Sequence, residues 1–278
     1  MLTVEPSGQA CGAMATGIDL SAPLDASAVR EIRAAWLEHR VLAFPGQAMD
    51  DDALERFTLA MGGFGEDPFF DPIPGRQNIA AILREPDETS PLFAENWHSD
   101  WSFLEAPPAG TCLLSIEIPP QGGDTLFANQ IAAFAALPDT RKDELRQLTA
   151  IHSARGAYAL DGAYGEDDEG RSMAIRPSDK AMETCTHPLI QRHPETGEEA
   201  IFSALGYIIG IEGMEQDKAV SLLRELYAWQ SDDRFVYRHQ WEPGMLVLWD
   251  NRSVLHRATG GYEGYRRELH RTTIAARP

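Results

Sequence analysis

Apolar positions follow two different periods along the chain, and the period changes near residue 65. In DASAVREIRAAWLEHR (25–40), Val29, Ile32, Trp36 and Leu37 share one side of a helix, with Asp25 placed to cap its start. RVLAFPG (40–46) reads as a short strand closed by Pro45 and Gly46. DDDALERFTLAMGGFG (50–65) reads as a second helix, with Leu54, Phe57 and Met61 on one face and Gly62 near its end. Beyond it strands dominate. NIAAILRE, GTCLLSIEI, DTLFAN, LTAIHSA, HPLIQRH, EEAIFSAL, FVYRHQW, GMLVLWD and ELHRTTIAA are short, apolar or alternating, and bounded by turn-forming residues. HPETGEE predicts a hairpin turn between two of them. Two helical patches interrupt: residues 130–148, broken at Pro138, and QDKAVSLLRELYAWQ, which gathers Ala219, Leu222, Leu223, Leu226 and Tyr227 on one side. Strands that do not alternate with helices predict a mainly β fold with supporting helices, a double-sheet barrel or jelly roll. ALDGAYGEDDEGRS (159–172) is long, acidic and glycine-rich, and is expected to act as a lid loop within 155–175.

The 278 residues fit one elaborated domain, 1–278. A formal charge of −19 excludes nucleic acid and anionic membrane as expected partners, since both need a basic face. No apolar run is long enough to span a bilayer. MLTVEPSGQA shows no basic stretch followed by an apolar one, so a cytoplasmic protein is expected. Cys11, Cys112 and Cys185 are widely spaced without a CxxC pair, the pattern of buried free thiols. The last 28 residues break the acidic trend with six arginines against two acids, which suggests a bound anion or pairing with acids elsewhere.

Candidate chemistry centres on FAENWHSDWSF (93–103). In a strand, residues two apart project to one face, so His98 and Asp100 would point together with Ser99 turned away. An imidazole and a carboxylate can chelate a divalent metal but need a third ligand. Of the remaining histidines, His39, His152, His187, His193, His239 and His270 have ordinary explanations at helix ends, before prolines or within strands. His256 follows a buried strand and a polar turn, among the arginines, and is the candidate third ligand. Two histidines and one aspartate leave half of an octahedron open, which suits a non-haem Fe(II) oxygenase. Catalytic zinc more often shows HExxH or three histidines, and neither is present. Alone, the His-x-Asp pattern is as readily structural as catalytic. GGDTLF supplies Thr125 as a neutral donor. LHRTTI supplies Arg271, whose guanidinium fork matches a carboxylate.

Taken together, WHSDWSF…PPAGTCLL, GGDTLFAN, LVLWDNRSVLHRA and RRELHRTTI, with VLAFPGQ and HPETGEEAIF…IEGM, resemble the taurine dioxygenase/2,4-D dioxygenase (TauD/TfdA-like) family of Fe(II)- and 2-oxoglutarate-dependent oxygenases, over residues 3–276. The resemblance implies a double-stranded β-helix (jelly roll, cupin-like). It implies iron ligation by His98, Asp100 and His256. Arg271 would pair with the distal carboxylate of 2-oxoglutarate and Thr125 would hydrogen-bond it. Trp249 and Asp250 would lie close behind the ligands. The implied reaction consumes 2-oxoglutarate and O2, hydroxylates a small organic substrate and releases succinate and CO2. Hydroxylation beside a heteroatom would cleave C–S or C–O bonds. The carboxylate at Asp100 favours oxygen transfer over halogenation. A homo-oligomer, dimer or tetramer, is also implied. A non-catalytic metal- or ligand-binding jelly roll is the alternative.

The resemblance fails in one loop. Taurine-specific sequences carry a histidine there, whereas FGEDPFFDP offers Asp67 or Asp71, which would repel a sulfonate. Taurine is therefore not expected as substrate. Glu66, Asp67 and Asp71 are otherwise read as solvated loop residues. Arg155 is a candidate anion contact or a partner for the acidic loop. Phe69, Phe70, Trp101 and Phe103 are candidates for a pocket wall or for core.

Overall fold

The computed structural model describes residues 1–165, 168 and 170–276. Alternation within the strands sets the layers. In Leu246–Asp250, Leu246 and Leu248 face one way, Val247 and Trp249 the other, and all four are buried. Val41–Phe44 and Gly110–Glu117 repeat this, with Leu42, Phe44, Cys112 and Leu114 on the first face and Val41, Ala43 and Leu113 on the second. A sheet buried on both faces has to lie between two further layers.

The first face is covered by the helices Ala26–His39 and Asp51–Met61 through Ile32, Trp36, Leu54, Phe57 and Met61. Both helices start where the sequence predicts. Asp25 accepts hydrogen bonds from the Ser27 and Ala28 amides at 2.8 Å each, and Asp50 from the Ala53 amide at 2.8 Å. Gly110 permits the contact between helix and sheet. A methyl group there would sit 2.5 Å from the Trp36 ring and 2.8 Å from the Trp249 carbonyl oxygen.

This larger sheet has seven strands in the order Thr3–Pro6, Ala13–Thr16, Val41–Phe44, Leu246–Asp250, Gly110–Glu117, Arg267–Ile274, Ala80–Arg84. Its second face meets a three-stranded antiparallel sheet, Val236–His239, Thr125–Asn129 and Val254–Ala258, across Phe127, Tyr237, Val247, Trp249 and Leu269. A second three-stranded sheet, Ile208–Ile211, Thr149–Ser153 and Thr184–Pro188, and the hairpin Ile190–Arg192/Glu199–Ile201 extend the structure, backed by helix Gln216–Gln230. The result is the expected jelly roll.

All nine strand segments read from the sequence contain a strand, and the break at Pro138 separates helices Gln130–Ala135 and Asp139–Arg146. The paired strands Thr3–Pro6 and Ala13–Thr16, most of Thr184–Pro188, and the strand Ile208–Ile211 were not anticipated. The first lies at the sheet edge, largely exposed, so it carries no apolar alternation. The last is interrupted by Gly210, where its register with Thr149–Ser153 shifts. Cys11 and Cys112 are buried and Cys185 partly so, all three free thiols. Burial pushes the Cys11 and Cys112 thiols up to about 12, so they are inert packing groups.

Candidate active site

His98 and Asp100 do not lie in a regular strand, contrary to the sequence reading. His98 forms an isolated bridge with His256: its amide donates to the His256 carbonyl at 3.1 Å, and the His256 amide donates back at 2.8 Å. The chain then turns at Trp101, whose φ of 49° ends any extended run. The single bridge does what a strand was expected to do. It sets the two imidazole rings side by side, with centroids 4.2 Å apart, next to Asp100. Asp100 Oδ1 is 3.8 Å from His98 Nε2 and 3.7 Å from His256 Nε2. Among the described residues this is the one cluster of three such side chains close enough to hold a metal ion, with ligand atoms within 4.8 Å of one another.

Each ligand atom is prepared by its surroundings. His98 Nδ1 lies 2.9 Å from the Asn96 carbonyl, which fixes the proton on that nitrogen and leaves the Nε2 lone pair facing inward. His256 is packed against Trp249 and Phe127, with ring centroids 4.7 and 6.1 Å away. Burial lowers both histidines, His256 to about 3; the His98 ring lowers His256 further, while Asp100 opposes the shift in both. Both imidazoles are therefore neutral at neutral pH. Burial alone would raise Asp100, but Arg271, His256, His98 and the Thr111 hydroxyl together hold it well below the usual carboxylate range. The site therefore presents two neutral nitrogens and one anion.

Behind the ligands runs a chain of hydrogen bonds. Trp249 Nε1 donates to Asn251 Oδ1 at 2.9 Å, and Asn251 Nδ2 donates to Thr111 Oγ1 at 2.9 Å. The Thr111 hydroxyl donates to Asp100 Oδ2 at 2.6 Å. Ser99, turned away as expected, donates to the Asn251 carbonyl at 2.6 Å. One oxygen of Asp100 is thus held by protein and the other faces the histidines. The sequence reading named Trp249 and Asp250 for this role. Trp249 fills it. Asp250 is directed elsewhere, to His193 Nε2 and Arg252 Nη2 at 2.8 Å each, and the neighbouring Asn251 takes its place.

The triad opens into a cavity that connects with solvent. Thr125 and Arg271 both line it, as do Phe70 and Trp101, whereas Phe69 and Phe103 belong to the aromatic core behind. Tyr158, Arg171 and Met173 of the expected lid segment also face it; residues 166, 167 and 169 of that segment lie outside the described residues. Arg155 is exposed and does not line the cavity. Thr125 Oγ1 accepts from Trp241 Nε1 at 3.0 Å, which leaves its own hydrogen available.

Two arginines project into the cavity from Arg267–Ile274, four residues apart and so on one face. Arg271 donates from Nη1 to Asp67 Oδ2 at 2.9 Å, and its Nη2 is 3.2 Å from Asp100 Oδ1. Asp67 is not the solvated loop residue expected. It is largely buried, and burial pushes it up to about 6, a shift that Arg271 partly offsets and Asp100 reinforces. Asp71 and Glu66 do sit at the surface, paired with Arg176 and Lys180. Arg267 was missed by the sequence reading. Buried between Trp241 and Tyr262, with Nη2 donating to the Gly123 carbonyl at 3.2 Å, it has no acidic partner among the described residues. Its Nε is buried without a hydrogen bond. Trp241 joins it to Thr125. Alternation from Leu269 was the available signal, since it places Arg267 beside Arg271.

Two neutral nitrogens and one carboxylate, converging on one side and open to a cavity on the other, fit a divalent ion that keeps free coordination positions. That donor set at the mouth of a jelly roll defines a mononuclear oxygenase class. The family model for taurine catabolism dioxygenase TauD, TfdA family, matches residues 3–273. The chain belongs to the TauD/TfdA family and is a 2-oxoglutarate-dependent dioxygenase. It is 32% identical to an alpha-ketoglutarate-dependent sulfate ester dioxygenase of Pseudomonas putida, over 99% of this chain and 89% of that one. It is 34% identical to an alpha-ketoglutarate-dependent 2,4-dichlorophenoxyacetate dioxygenase of Cupriavidus pinatubonensis, over 92% and 91%. The crystal structure of AAD-2 in complex with Mn(II) and N-oxalylglycine superposes with a TM-score of 0.81 at 26% identity, covering 100% of this chain and 98% of that one.

Proposed function

We propose that His98 Nε2, Asp100 Oδ1 and His256 Nε2 hold a ferrous ion, and that the enzyme hydroxylates a small organic substrate with release of succinate and CO2. The observation that carries this reading is the convergence of those three atoms beside a cavity that also holds an unpaired guanidinium. When bound, the iron with 2-oxoglutarate and O2 supplies the oxidant for C–H hydroxylation. Where the hydroxylated carbon bears oxygen or sulfur, the product collapses with C–O or C–S cleavage, in keeping with a relative named for sulfate esters.

The protein's own part is positioning. Thr111 occupies one oxygen of Asp100, which favours single-oxygen ligation and keeps the remaining positions open. The distal carboxylate of 2-oxoglutarate is assigned to Arg267 and Thr125, in place of the Arg271 and Thr125 pair read from the sequence. Arg271 already has two acidic neighbours, one of them a ligand to the metal. The far end of a five-carbon diacid that chelates through its first two carbons needs a cation further off. Arg267 lacks an acid and flanks Trp241 with Thr125. The bound Mn(II) and N-oxalylglycine in AAD-2 agree with a metal and a dicarboxylate sharing this fold.

The test is succinate formation with Fe(II), 2-oxoglutarate, O2 and a panel of small substrates. Substrate-dependent succinate is expected. No turnover, together with no binding of 2-oxoglutarate to the Fe(II) protein, would overturn the reading.

A further inference from the structure

We propose that the substrate of this enzyme is an uncharged, largely apolar molecule, and that Asp67 sets the preference by occupying the one guanidinium an anionic substrate would otherwise use. The inference rests on the assignment of 2-oxoglutarate to the metal and Arg267.

The ground is how charges pair within the cavity. Four guanidinium groups line it: Arg84, Arg171, Arg267 and Arg271. Arg84 donates to Glu88 Oε1 at 3.2 Å and to the Glu88 and Ser90 carbonyls at 3.0 and 2.9 Å. Arg171 is paired with Asp168, lies 3.8 Å from Glu88 Oε1, and donates to the Pro91 carbonyl at 3.0 Å. These two cations and two anions balance one another. Arg267 is matched by the distal carboxylate of the co-substrate. Asp100 and the remaining carboxylate of 2-oxoglutarate match a divalent metal ion. Only Arg271 is left, and Asp67 neutralises it.

Arg271 is also hemmed in, although its Nη2 makes no hydrogen bond. Its guanidinium lies over the Trp101 ring at 4.8 Å and near the Phe70 ring at 5.2 Å. One edge meets Asp67 and the other faces Asp100 at the metal. An incoming sulfate, sulfonate or carboxylate could take the Nη1 edge only by displacing Asp67, and at the Nη2 edge it would meet the Asp100 carboxylate, which repels it. Without that displacement, the anion would be buried with no counter-charge, against a wall of Ile82, Leu83, Leu92, Phe93, Leu113 and Met173. Desolvating an unpaired anion is far more costly than burying a neutral molecule of the same shape. An uncharged substrate adds nothing to a site whose charges are already matched.

The experiment uses the Fe(II)–2-oxoglutarate enzyme under anaerobic conditions with two probes of one shape, phenoxyacetamide and phenoxyacetate, and with phenyl sulfate as a third. Equilibrium binding is measured for the wild type and for Asp67→Asn, which keeps the side-chain shape and removes the charge. Asp67→Ser serves as a second variant if the first does not fold. The wild type is expected to favour the amide over the acid at least tenfold and to leave phenyl sulfate unbound. The variant is expected to gain at least tenfold in affinity for phenyl sulfate or phenoxyacetate, with 2-oxoglutarate affinity unchanged. A wild type that favours the acid, or a variant that gains no anion affinity, overturns the proposal. Failure of 2-oxoglutarate to bind at all would instead overturn the assignment beneath it, and is read separately in the same titration.

Discussion

Asp100 divides its two oxygens between the metal site and the protein, and this division can be tested one side chain at a time. Asp100→Ala should abolish metal binding and hydroxylation together; retained activity would contradict the ligand assignment. Thr111→Val removes the donor to Asp100 Oδ2 at nearly constant volume. It is expected to weaken metal affinity roughly 10–100-fold, the usual effect of losing such a supporting bond, while Thr111→Ser restores it. Equal metal affinity in Thr111→Val and wild type would show that the bond is only structural. Arg267→Met should raise the 2-oxoglutarate dissociation constant roughly 10–100-fold, since a charge-assisted hydrogen bond contributes ~1.5–3 kcal/mol, with metal affinity nearly unchanged. A larger loss in Arg271→Met, measured by the same titration, would return the anchor to Arg271. The three proposed ligands, which the fold brings together, were legible in the sequence because two lie at strand spacing and the third among arginines. The choice between Arg267 and Arg271 was not. Alternation puts both on one face, and only Asp67, 204 residues away in the chain, distinguishes them.

At the scale of elements, the site depends on where Leu246–Asp250 and Gly110–Glu117 are held, because Trp249 and Thr111 pair directly across them. Both strands were legible, since each repeats with period two and is closed by a turn. Their neighbours were read less well. The His98 segment has strand-like composition but only one bridged residue, because Trp101 turns the chain back. The strands Thr3–Pro6 and Ile208–Ile211 were missed because exposure in one and a glycine in the other remove the periodic signal. Gly110 links element packing to chemistry. Gly110→Ala would drive a methyl group into the Trp36 ring and the Trp249 backbone. Overpacking of this kind costs about 1–3 kcal/mol, so the unfolding free energy should fall by that amount, read as a lower denaturation midpoint. The strand carrying Trp249 should shift as well, and metal affinity with it. An unchanged midpoint would mean that the helix over the sheet yields freely.

For the whole molecule, the acidic surface and the buried histidines bear on stability. His152 is lowered to about 3 by burial and by His187, and His239 to about 4 by burial and by Arg267. An unfolded histidine titrates near about 6.5. As pH falls below that value, the unfolded chain takes up protons that the folded chain refuses, so stability falls from about pH 6.5 down to about pH 4 for His239 and about pH 3 for His152. The urea midpoint should therefore be lower at pH 5 than at pH 7.5, with a smaller difference in His152→Gln. A difference unaffected by that substitution would assign the loss to other groups. Composition bore on which partners to expect, but it was silent on these internal charges, which depend on burial that only the fold creates. The account as a whole stands on one ferrous ion held by residues far apart in the chain and open to 2-oxoglutarate. The most direct measurement is the visible charge-transfer absorption on adding 2-oxoglutarate to the anaerobic Fe(II) protein. One equivalent should produce the band in the wild type and none should form in His256→Ala. No band in the wild type, or an equal band in the variant, would contradict it.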